Sequence, residues 1–323
     1  MKKIILILFM FIAYCYSESL ETFEPYEIND STQWILIKTE NTKNPVLLYL
    51  SGGPGISMIP WAHVNTITDQ MLEHFTVVHW DQRGAGLSYD PDIPVNTITI
   101  SQYIDDTYAV IELLKQKLKT DKIFLLGHSW GTILGMYYCQ KYPNDITVFI
   151  GVGQSVTYYD REKVSRDWLG QKILEAGNEE DLEKHREITW ADRGLIQKYG
   201  GTIHNITVND LVAMRRSSPY SPEKYTRELT QKGTSLVRGN MREELWKIDF
   251  RKEIPKIEVP VYFFLGKYDY ITPASMVVDY CEMLEAPKKE LVWFHESAHR
   301  IDIEEPLKFQ KTLIRIKEEN IND

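Results

Sequence analysis

Cysteine is scarce in this chain, and basic residues do not outnumber acidic ones. Of the three cysteines, only Cys139 and Cys281 lie outside the N-terminal segment. Two thiols in the rest of the chain are too few for a disulfide-stapled scaffold. We expect both on core helices, although the sequence does not decide whether they pair. Lys and Arg total 37 against 46 Asp and Glu, and they are interspersed, so no basic stripe indicates a nucleic-acid partner.

The N-terminus lacks an apolar run of membrane-spanning length. Residues 4–16 are apolar, follow two lysines and precede small or polar residues, which is the layout of a signal peptide. The sequence therefore predicts a signal over 1–17, cleaved after Ser17, and a secreted or extracytoplasmic protein. Two alternatives stay open. Cys15 would carry a lipid, although Tyr14 stands where a small residue is usual, or residues 4–16 would remain as an anchor, the one case in which we expect membrane contact.

Seven short apolar runs, separated by helical patterns, predict the strands of a parallel sheet. Most runs are continuous and not alternating, as in strands covered on both faces. They are residues 34–39, 46–50, 75–80, 123–127, 146–151, 261–266 and 290–294. Strands separated by helices form βαβ units with right-handed crossovers, so the sequence predicts an α/β fold.

Two helices can be assigned from periodicity and from helix breakers. The first begins at Thr99 or Ser101 as the N-cap, and one apolar face carries Ile104, Tyr108, Ile111, Leu114 and Leu118. The second follows Gly131 and ends before Pro143, because proline does not continue a helix.

The sequence pattern changes from about residue 156 to 250, where charged helical stretches dominate and no strong strand pattern appears. The alternation of strands and helices resumes at Val259. We therefore predict a signal at 1–17, a core formed by 18–155 and 251–323, and an inserted helical domain at 156–250.

An apolar strand runs directly into Gly127-His128-Ser129-Trp130-Gly131, the G-x-S-x-G pattern. A sharp strand-to-helix turn exposes the serine hydroxyl, and its close approaches leave room only for glycine two residues on either side. The alternative is a glycine-rich turn with an incidental serine. The strand–turn–helix context favours Ser129 as a nucleophile.

A serine nucleophile needs a base and an acid that orients the base, in the chain order Ser, Asp or Glu, His on this architecture. Asp269 and His299 each follow a predicted strand, at the carboxyl ends where catalytic groups of α/β sheets gather. We expect His299 as general base and Asp269 as its partner. His295, directly after its strand, is the alternative base.

Acyl transfer also needs donors for the oxyanion. A glycine-rich turn at residues 52–55 follows the strand 46–50, which leaves backbone N–H groups free to point at a ligand. The N–H groups of Gly53 and of Trp130, the residue after the nucleophile, are the predicted pair. The alternative is that residues 52–55 form a tight turn with no catalytic role. Their position ahead of the serine motif favours the oxyanion hole.

These motifs resemble the prolyl iminopeptidase group of α/β-hydrolase-fold enzymes, from about Trp34 to the C-terminus. The segments that carry the resemblance are LSGGPG (50–55), HWDQRGAGLS (79–88), GHSWG (127–131), GKYD (266–269) and SAH…EEP (297–306). The resemblance implies an α/β-hydrolase fold, with a mostly parallel central sheet flanked by helices, and a helical cap that closes over the active site. It assigns the triad to Ser129, Asp269 and His299 and the oxyanion hole to Gly53 and Trp130. Asp81 and Arg83 are expected to brace loops.

The chain departs from that family at three positions. Ser51 replaces the first residue of the family's H-G-G-P-G motif, and His128 stands where many relatives have glycine. Some relatives bind the substrate amine with a glutamate after the triad aspartate, and that position is Tyr270 here. Glu187 and Asp192 are the insertion's candidate amine ligands, or exposed helix charges. Four aromatic residues either line an apolar pocket or form the insertion's own core: Trp168, Trp190, Tyr199 and Trp246.

Residues 295–299 read HESAH, which matches the zinc-protease pattern H-E-x-x-H. A zinc site would need both histidines one turn apart on a helix, Glu296 as base and a further ligand such as Glu319. The motif follows a strand with no room for a helical turn, and zinc explains neither Ser129 nor Asp269. The sequence therefore predicts no metal and no cofactor.

Three functions fit these residues. The first is an exported serine hydrolase that releases N-terminal residues, proline especially, from short peptides. The second uses the same triad on small esters or amides with no need for a free amine. The third is a non-catalytic binding protein on the same scaffold, against which the complete set of catalytic residue types argues. The expected partner is a small molecule or short peptide, and the sequence leaves the oligomeric state open.

Overall fold

The computed structural model describes residues 18–220 and 223–321. The predicted signal at 1–17 and the alternative lipid site Cys15 lie outside the described residues, so the export prediction stays a prediction. Within the described part of the chain, no helix is long and apolar enough to cross a membrane.

The described residues form one eight-stranded sheet. Its strands are β1 (Leu20–Ile28), β2 (Ser31–Thr39), β3 (Val46–Leu50), β4 (Thr76–Trp80), β5 (Ile123–His128), β6 (Ile146–Val152), β7 (Val261–Gly266) and β8 (Lys289–Phe294). The order across the sheet is β1, β2, β4, β3, β5, β6, β7, β8. β2 pairs antiparallel with β1 and β4, and the other neighbouring pairs are parallel.

All seven predicted runs are strands, and the mostly parallel α/β sheet is confirmed. β3, β4, β5 and β7 are buried at every position, as expected of strands covered on both faces. β1 was not predicted from the sequence, because many of its residues are polar or charged and they include Pro25. β1 lies at the edge of the sheet, where a proline need not donate to a neighbouring strand.

Helices cover both faces of the sheet and form the insertion. They are α1 (Ala62–Asn65), α2 (Asp69–Leu72), α3 (Ile100–Leu118), α4 (Trp130–Lys141), α5 (Tyr158–Ala176), α6 (Glu179–Glu187), α7 (Arg193–Lys198), α8 (Val208–Arg216), α9 (Arg227–Lys247), α10 (Phe250–Glu253), α11 (Ala274–Met283), α12 (Ile301–Glu304) and α13 (Pro306–Ile321). Single 3₁₀ turns occupy 59–61, 86–88, 95–97 and 143–145. One apolar core cluster joins the sheet to α3, α4 and α11, and a second joins it to α1, α2 and α13.

Both predicted helices exist, but the apolar face of α3 was assigned partly wrongly. Thr99 is the N-cap and accepts a hydrogen bond from the Gln102 N–H at 3.2 Å. Tyr108 is 39% exposed, whereas Tyr103 and Val110 are fully buried. The buried face also includes Asp106 and Thr107, whose polarity disguised it in the sequence. Cys139 in α4 and Cys281 in α11 are buried, unpaired thiols, as expected.

Asp81 and Arg83 brace neighbouring segments, which confirms their predicted structural role. Arg83 forms a two-pronged ion pair with Asp106 of α3, with Nε–Oδ2 at 2.7 Å and Nη2–Oδ1 at 2.9 Å. Asp81 accepts hydrogen bonds at 2.8 Å from the Leu87 N–H and from the hydroxyl of Tyr225 in the insertion. Asp81 therefore ties the insertion to the core.

The insertion, residues 156–250, leaves and rejoins the core through two adjacent segments. Thr157 and Asp249 form an antiparallel bridge, and the Phe250 N–H donates to the Val156 carbonyl at 2.9 Å. Farther along, α9 packs tightly on two core loops. A Cβ added to Gly233 would lie 2.6 Å from the Gly84 carbonyl oxygen and 2.9 Å from that of Gly55.

This contact predicts opposite effects of the same substitution at two glycines of α9. Gly233→Ala should lower the free energy of unfolding by about 1–3 kcal/mol, because the added methyl group meets backbone and not a movable side chain. Gly239→Ala should raise it by about 0.5–1 kcal/mol, because no atom lies within 4 Å of the added group and alanine favours the helix. Urea unfolding of both variants tests this, and destabilisation of similar size in both would contradict the close contact.

Candidate active site

The turn from β5 into α4 has the geometry that a nucleophilic serine requires. Ser129 has φ 54° and ψ −114°, a backbone conformation that residues with a side chain rarely adopt. β5 ends at His128, and α4 begins at Trp130, so Ser129 alone makes the turn. Its N–H donates to the Val152 carbonyl at 2.9 Å, which ties the turn to β6.

The glycines around Ser129 are required by close backbone approaches. A Cβ on Gly127 would overlap the Gly131 carbonyl oxygen, and a Cβ on Gly131 would overlap the Leu50 carbonyl oxygen at the end of β3. Side chains at either position would push α4 away from the sheet. The predicted reason for the G-x-S-x-G spacing is thus met in the structure.

Asp269 and His299 are brought together behind this turn. The His299 Nδ1 lies 2.8 Å from the Asp269 Oδ2, and both side chains are buried. Asp269 also accepts hydrogen bonds from the N–H groups of Ile271 and Thr272, each at 2.8 Å, and from the Thr272 hydroxyl at 2.7 Å. These donors fix the carboxylate in the orientation that meets the imidazole.

Four of the five predicted site residues line one cavity of about 190 Å³: Gly53, Ser129, Trp130 and His299. The fifth, Asp269, lies behind His299. Trp130 is the first residue of α4, so its N–H has no acceptor within the helix and can donate to a ligand. The positive end of the helix dipole lies at the same place and favours negative charge.

His295 lies apart from this cavity. It is exposed, and its ring stacks on Trp293 with the centroids 6.3 Å apart. Residues 295 and 296 form a turn after β8 and not a helix, so the two histidines of HESAH do not lie one helical turn apart. Glu319 pairs with Lys288 and Arg315 at the far end of the chain. Among the described residues, no cluster of three or more His, Cys, Asp and Glu side chains could hold a metal ion.

A loop of the insertion that was not predicted from the sequence holds the Asp269 and His299 loops in place. The Gly201 carbonyl accepts from the Tyr270 N–H, and the Thr202 carbonyl accepts from the His299 N–H, both at 3.0 Å. The buried Glu304 accepts from the Ala298 N–H at 2.8 Å and from the Asn205 N–H at 3.0 Å. The EEP segment therefore braces the His299 loop against the insertion.

The candidate amine ligands of the insertion do not face the cavity. Glu187 is exposed at the end of α6, and the Asp192 side chain caps α7 by accepting from the Leu195 N–H at 2.8 Å. Tyr270 stacks on Trp168 with ring centroids 4.0 Å apart, and Tyr199 packs in the same apolar cluster. The four aromatic residues thus divide: Trp168 and Tyr199 belong to the insertion's core, while Trp190 and Trp246 line a second cavity of about 530 Å³.

Three arginines of the insertion, Arg161, Arg193 and Arg238, line the cavity that contains Ser129. The sequence analysis named none of them, because the segment carries many charges and their spacing does not show which ones turn inward. Their side chains make the lining basic where the family resemblance suggested acidic residues.

His128, a departure from the family pattern, is a structural neighbour of His299. Its Nε2 lies 3.0 Å from the His299 carbonyl oxygen, so it donates there, and the two rings lie 4.8 Å apart. Burial, and then the charge of His299, lower the pKa of His128 from 6.5 to about 4. Its buried Nδ1 has no hydrogen-bond partner among the described residues, so a proton at that atom would lack an acceptor.

Comparison with known proteins gives consistent matches over most of the chain. Residues 45–306 match the model of the alpha/beta hydrolase fold family. A Bacillus subtilis (strain 168) protein named probable aminopeptidase YbaC is 32% identical over 312 residues, which are 92% of this chain and 96% of that protein. A proline iminopeptidase of Thermoplasma volcanium is 27% identical over 303 residues, 88% of this chain and 92% of the relative.

Solved structures confirm the fold. The proline iminopeptidase of Mycobacterium smegmatis gives a TM-score of 0.64 at 19% identity, and the match covers 93% of this chain and 98% of the other. An esterase of Exiguobacterium antarcticum gives a TM-score of 0.64 at 17% identity, with 92% and 100% covered. One fold therefore accommodates neighbours that are named for different substrates.

His128 predicts a pH dependence of stability. The pKa of His128 is lower in the folded chain than in the unfolded chain. The contribution of its neutral side chain to the free energy of unfolding is therefore fully present above pH 6.5 and is lost as the pH falls toward about 4. This contribution is about 3 kcal/mol at neutral pH. Urea unfolding at about pH 7.5 and about pH 4.5 should show a smaller loss of stability in His128→Asn than in the unsubstituted chain.

The exposed His295 provides the matched control. His295→Asn should lose as much stability as the unsubstituted chain over the same pH range. An equal loss in His128→Asn would contradict the buried, neutral state of His128.

Proposed function

This chain belongs to the α/β-hydrolase fold family, and we propose that it is a serine hydrolase that cleaves small amides or esters through an acyl-enzyme. One observation carries the proposal. A buried Asp269–His299 pair, with Oδ2 and Nδ1 2.8 Å apart, stands behind a cavity that His299 shares with the strained Ser129. This is the arrangement of nucleophile, base and orienting acid that acyl transfer needs.

In the first step, His299 acts as general base through Nε2. It takes the proton of the Ser129 hydroxyl as Oγ attacks the carbonyl carbon of the substrate. Asp269 accepts the Nδ1–H of His299, which keeps Nε2 free to accept the proton and then stabilises the imidazolium. Three donors in addition to His299 fix the Asp269 carboxylate. The carboxylate in turn holds the imidazole of His299 in one orientation.

The negative charge that develops on the carbonyl oxygen is bound by the N–H groups of Gly53 and Trp130. Preformed donors at this position typically contribute about 10²–10³ in rate each. The tetrahedral intermediate then collapses, and His299 gives its proton to the leaving amine or alcohol. Water, activated by the same histidine, attacks the acyl-Ser129 ester, and the second collapse returns the free serine and the product acid.

Two classes of substrate are compatible with this mechanism. Release of N-terminal residues from peptides is favoured by the relatives named aminopeptidase and proline iminopeptidase. Hydrolysis without a free amine is favoured by the cavity lining. Glu162 is the one carboxylate among the described residues that line the two cavities, and it is already paired with Arg161 and Arg193.

In this proposal, the insertion covers the cavity beside Ser129. Residues of α5, α7 and α9 line the cavity opposite Ser129, and the loop at 201–202 binds both the acid and the base loops. The insertion therefore acts as a cap that excludes water while the acyl-enzyme forms. Export through the N-terminal signal is the second part of the proposal, supported by the layout of residues 1–17.

Substitutions in the triad should separate the base from its neighbour in HESAH. Ser129→Ala and His299→Ala should each lower kcat by about 10⁴ or more, and by similar factors, because the triad acts as a unit. His295→Ala should keep near-full activity, since His295 is exposed and stacked on Trp293. Steady-state kinetics on any turned-over substrate tests this. An active His299→Ala enzyme with an inactive His295→Ala enzyme would show that the base is misassigned.

The substrate class can be tested with a proline arylamide and a short-chain p-nitrophenyl ester, each with and without a chelator. Cleavage of both that depends on Ser129 supports the aminopeptidase. Cleavage of the ester alone supports the hydrolase with no amine requirement. Activity that a chelator removes and that Ser129→Ala retains would overturn the serine mechanism and reopen HESAH as a metal site.

A further inference from the structure

The cavity beside Ser129 carries an excess of positive charge. Arg161, Arg193 and Arg238 line it together with Gln197 and Thr202, and no carboxylate of the described residues belongs to that lining. The second cavity shares Tyr158, Arg193, Arg238 and Leu245 with the first, so the two form neighbouring parts of one site.

The protein's own carboxylates balance this cluster only in part, because Asp269 favours the charged forms of Arg161 and Arg193 but lies behind His299 and outside the lining. Glu162 is buried and pairs with Arg161, at 3.1 Å between Nη2 and Oε1, and with Arg193. Arg238 donates a hydrogen bond to the Tyr158 hydroxyl at 3.4 Å. The protonated hydroxyl is neutral and does not balance the charge of the arginine. Arg161 and Arg193 therefore share one carboxylate, and the exposed Arg238 has no acidic partner among the described residues that line the two cavities. The excess positive charge on the buried Arg161 and the half-buried Arg193 is unfavourable unless an anion pairs with it.

Two guanidinium nitrogens are also left without a hydrogen bond. Arg161 is 7% exposed, and its Nε has no partner among the described residues. The Nη1 of Arg193 is likewise buried without a partner there. Burial lowers the pKa of both arginines. Burial opposes ionisation of Tyr158, but Arg161 and Arg238 outweigh it and lower the pKa of Tyr158 to about 8, which shows how strongly this lining favours negative charge.

We propose that the natural substrate carries a carboxylate, which Arg161, Arg193 and Arg238 bind beside the bond that Ser129 cleaves. The proposal rests on the proposed serine hydrolase and specifies its substrate class. Arginine suits this role because its planar fork donates two parallel hydrogen bonds to a carboxylate. The carboxylate belongs either to the acyl residue, as an acidic side chain, or to the leaving group, as a peptide C-terminus.

The same assignment accounts for the chain's departure at Tyr270. The family resemblance implies a glutamate at this position in certain relatives that bind a substrate amine, whereas Tyr270 here stacks on Trp168 within the core of the insertion. The site therefore lacks a negative group there and offers positive groups across the cavity.

Two matched pairs of compounds test the proposal, each pair differing only in one carboxylate. Glutamate p-nitroanilide against glutamine p-nitroanilide probes the acyl residue, and prolyl-alanine against its C-terminal amide probes the leaving group. In at least one pair, kcat/KM for the carboxylate should exceed that for the neutral compound by about tenfold or more. The pair that shows the preference identifies which part of the substrate the arginines bind.

The variant that tests the contact is Arg238→Gln, because Arg238 is exposed on α9 and its loss should not unfold the chain. It should bring the kcat/KM ratio of the preferred pair toward one. Arg227→Gln makes the same change of charge on the same helix, outside both cavity linings, and should leave the ratio as it was. A wild-type ratio of one or less in both pairs, or a ratio unaffected by Arg238→Gln, would overturn the proposal.

A binding measurement separates this inference from the proposed reaction. Isothermal titration of the four compounds into the Ser129→Ala variant should show about tenfold tighter binding of the carboxylate member, lost on adding Arg238→Gln. Equal affinities within each pair, or no binding at all, would overturn the carboxylate site even if Ser129-dependent turnover is found. Carboxylate-selective binding without any turnover would support the site and overturn the serine hydrolase.

Discussion

The site depends first on the turn between β5 and α4, which forces Ser129 into a strained backbone conformation. The turn exists because glycine stands at 127 and 131, where carbonyl oxygens approach too closely for any Cβ. It also lies in the middle of the sheet, since β5 is paired on both sides by β3 and β6. The surrounding strands thus maintain a conformation that would be unfavourable in a free loop, and they aim the serine and the start of α4 into one cavity.

The second requirement is that core and insertion complete the site together. The loops that carry Asp269 and His299 come from the core, after β7 and β8, but each is hydrogen-bonded to the insertion at residues 201–202. The Gly55 and Gly84 loops touch α9 at Gly233, and Asp81 binds Tyr225. The insertion therefore contributes to the position of His299 as well as to the lining, so changes far from Ser129 can alter the geometry of the reaction.

Much of this was predictable from the sequence, and the failures have physical causes. Continuous apolar runs identify buried strands because nothing polar is tolerated on either face, whereas β1 is an edge strand and its polar residues hide it. Ser129 follows β5 directly, and Asp269 and His299 lie in the loops after β7 and β8, so chain order predicts that they meet. The rotated face of α3 was missed because Asp106 is buried by its pairing with Arg83. The arginines of the cavity were missed because only tertiary packing distinguishes an inward charge from a solvated one.

Each substrate class proposed for this site presupposes a reactive serine. The most direct test is treatment of the purified protein with a fluorophosphonate, followed by intact mass and peptide mapping. We expect one adduct, on Ser129, absent in Ser129→Ala and formed far more slowly in His299→Ala. No adduct, or an adduct on another residue with Ser129 unmodified, would contradict the assignment of Ser129 as the nucleophile.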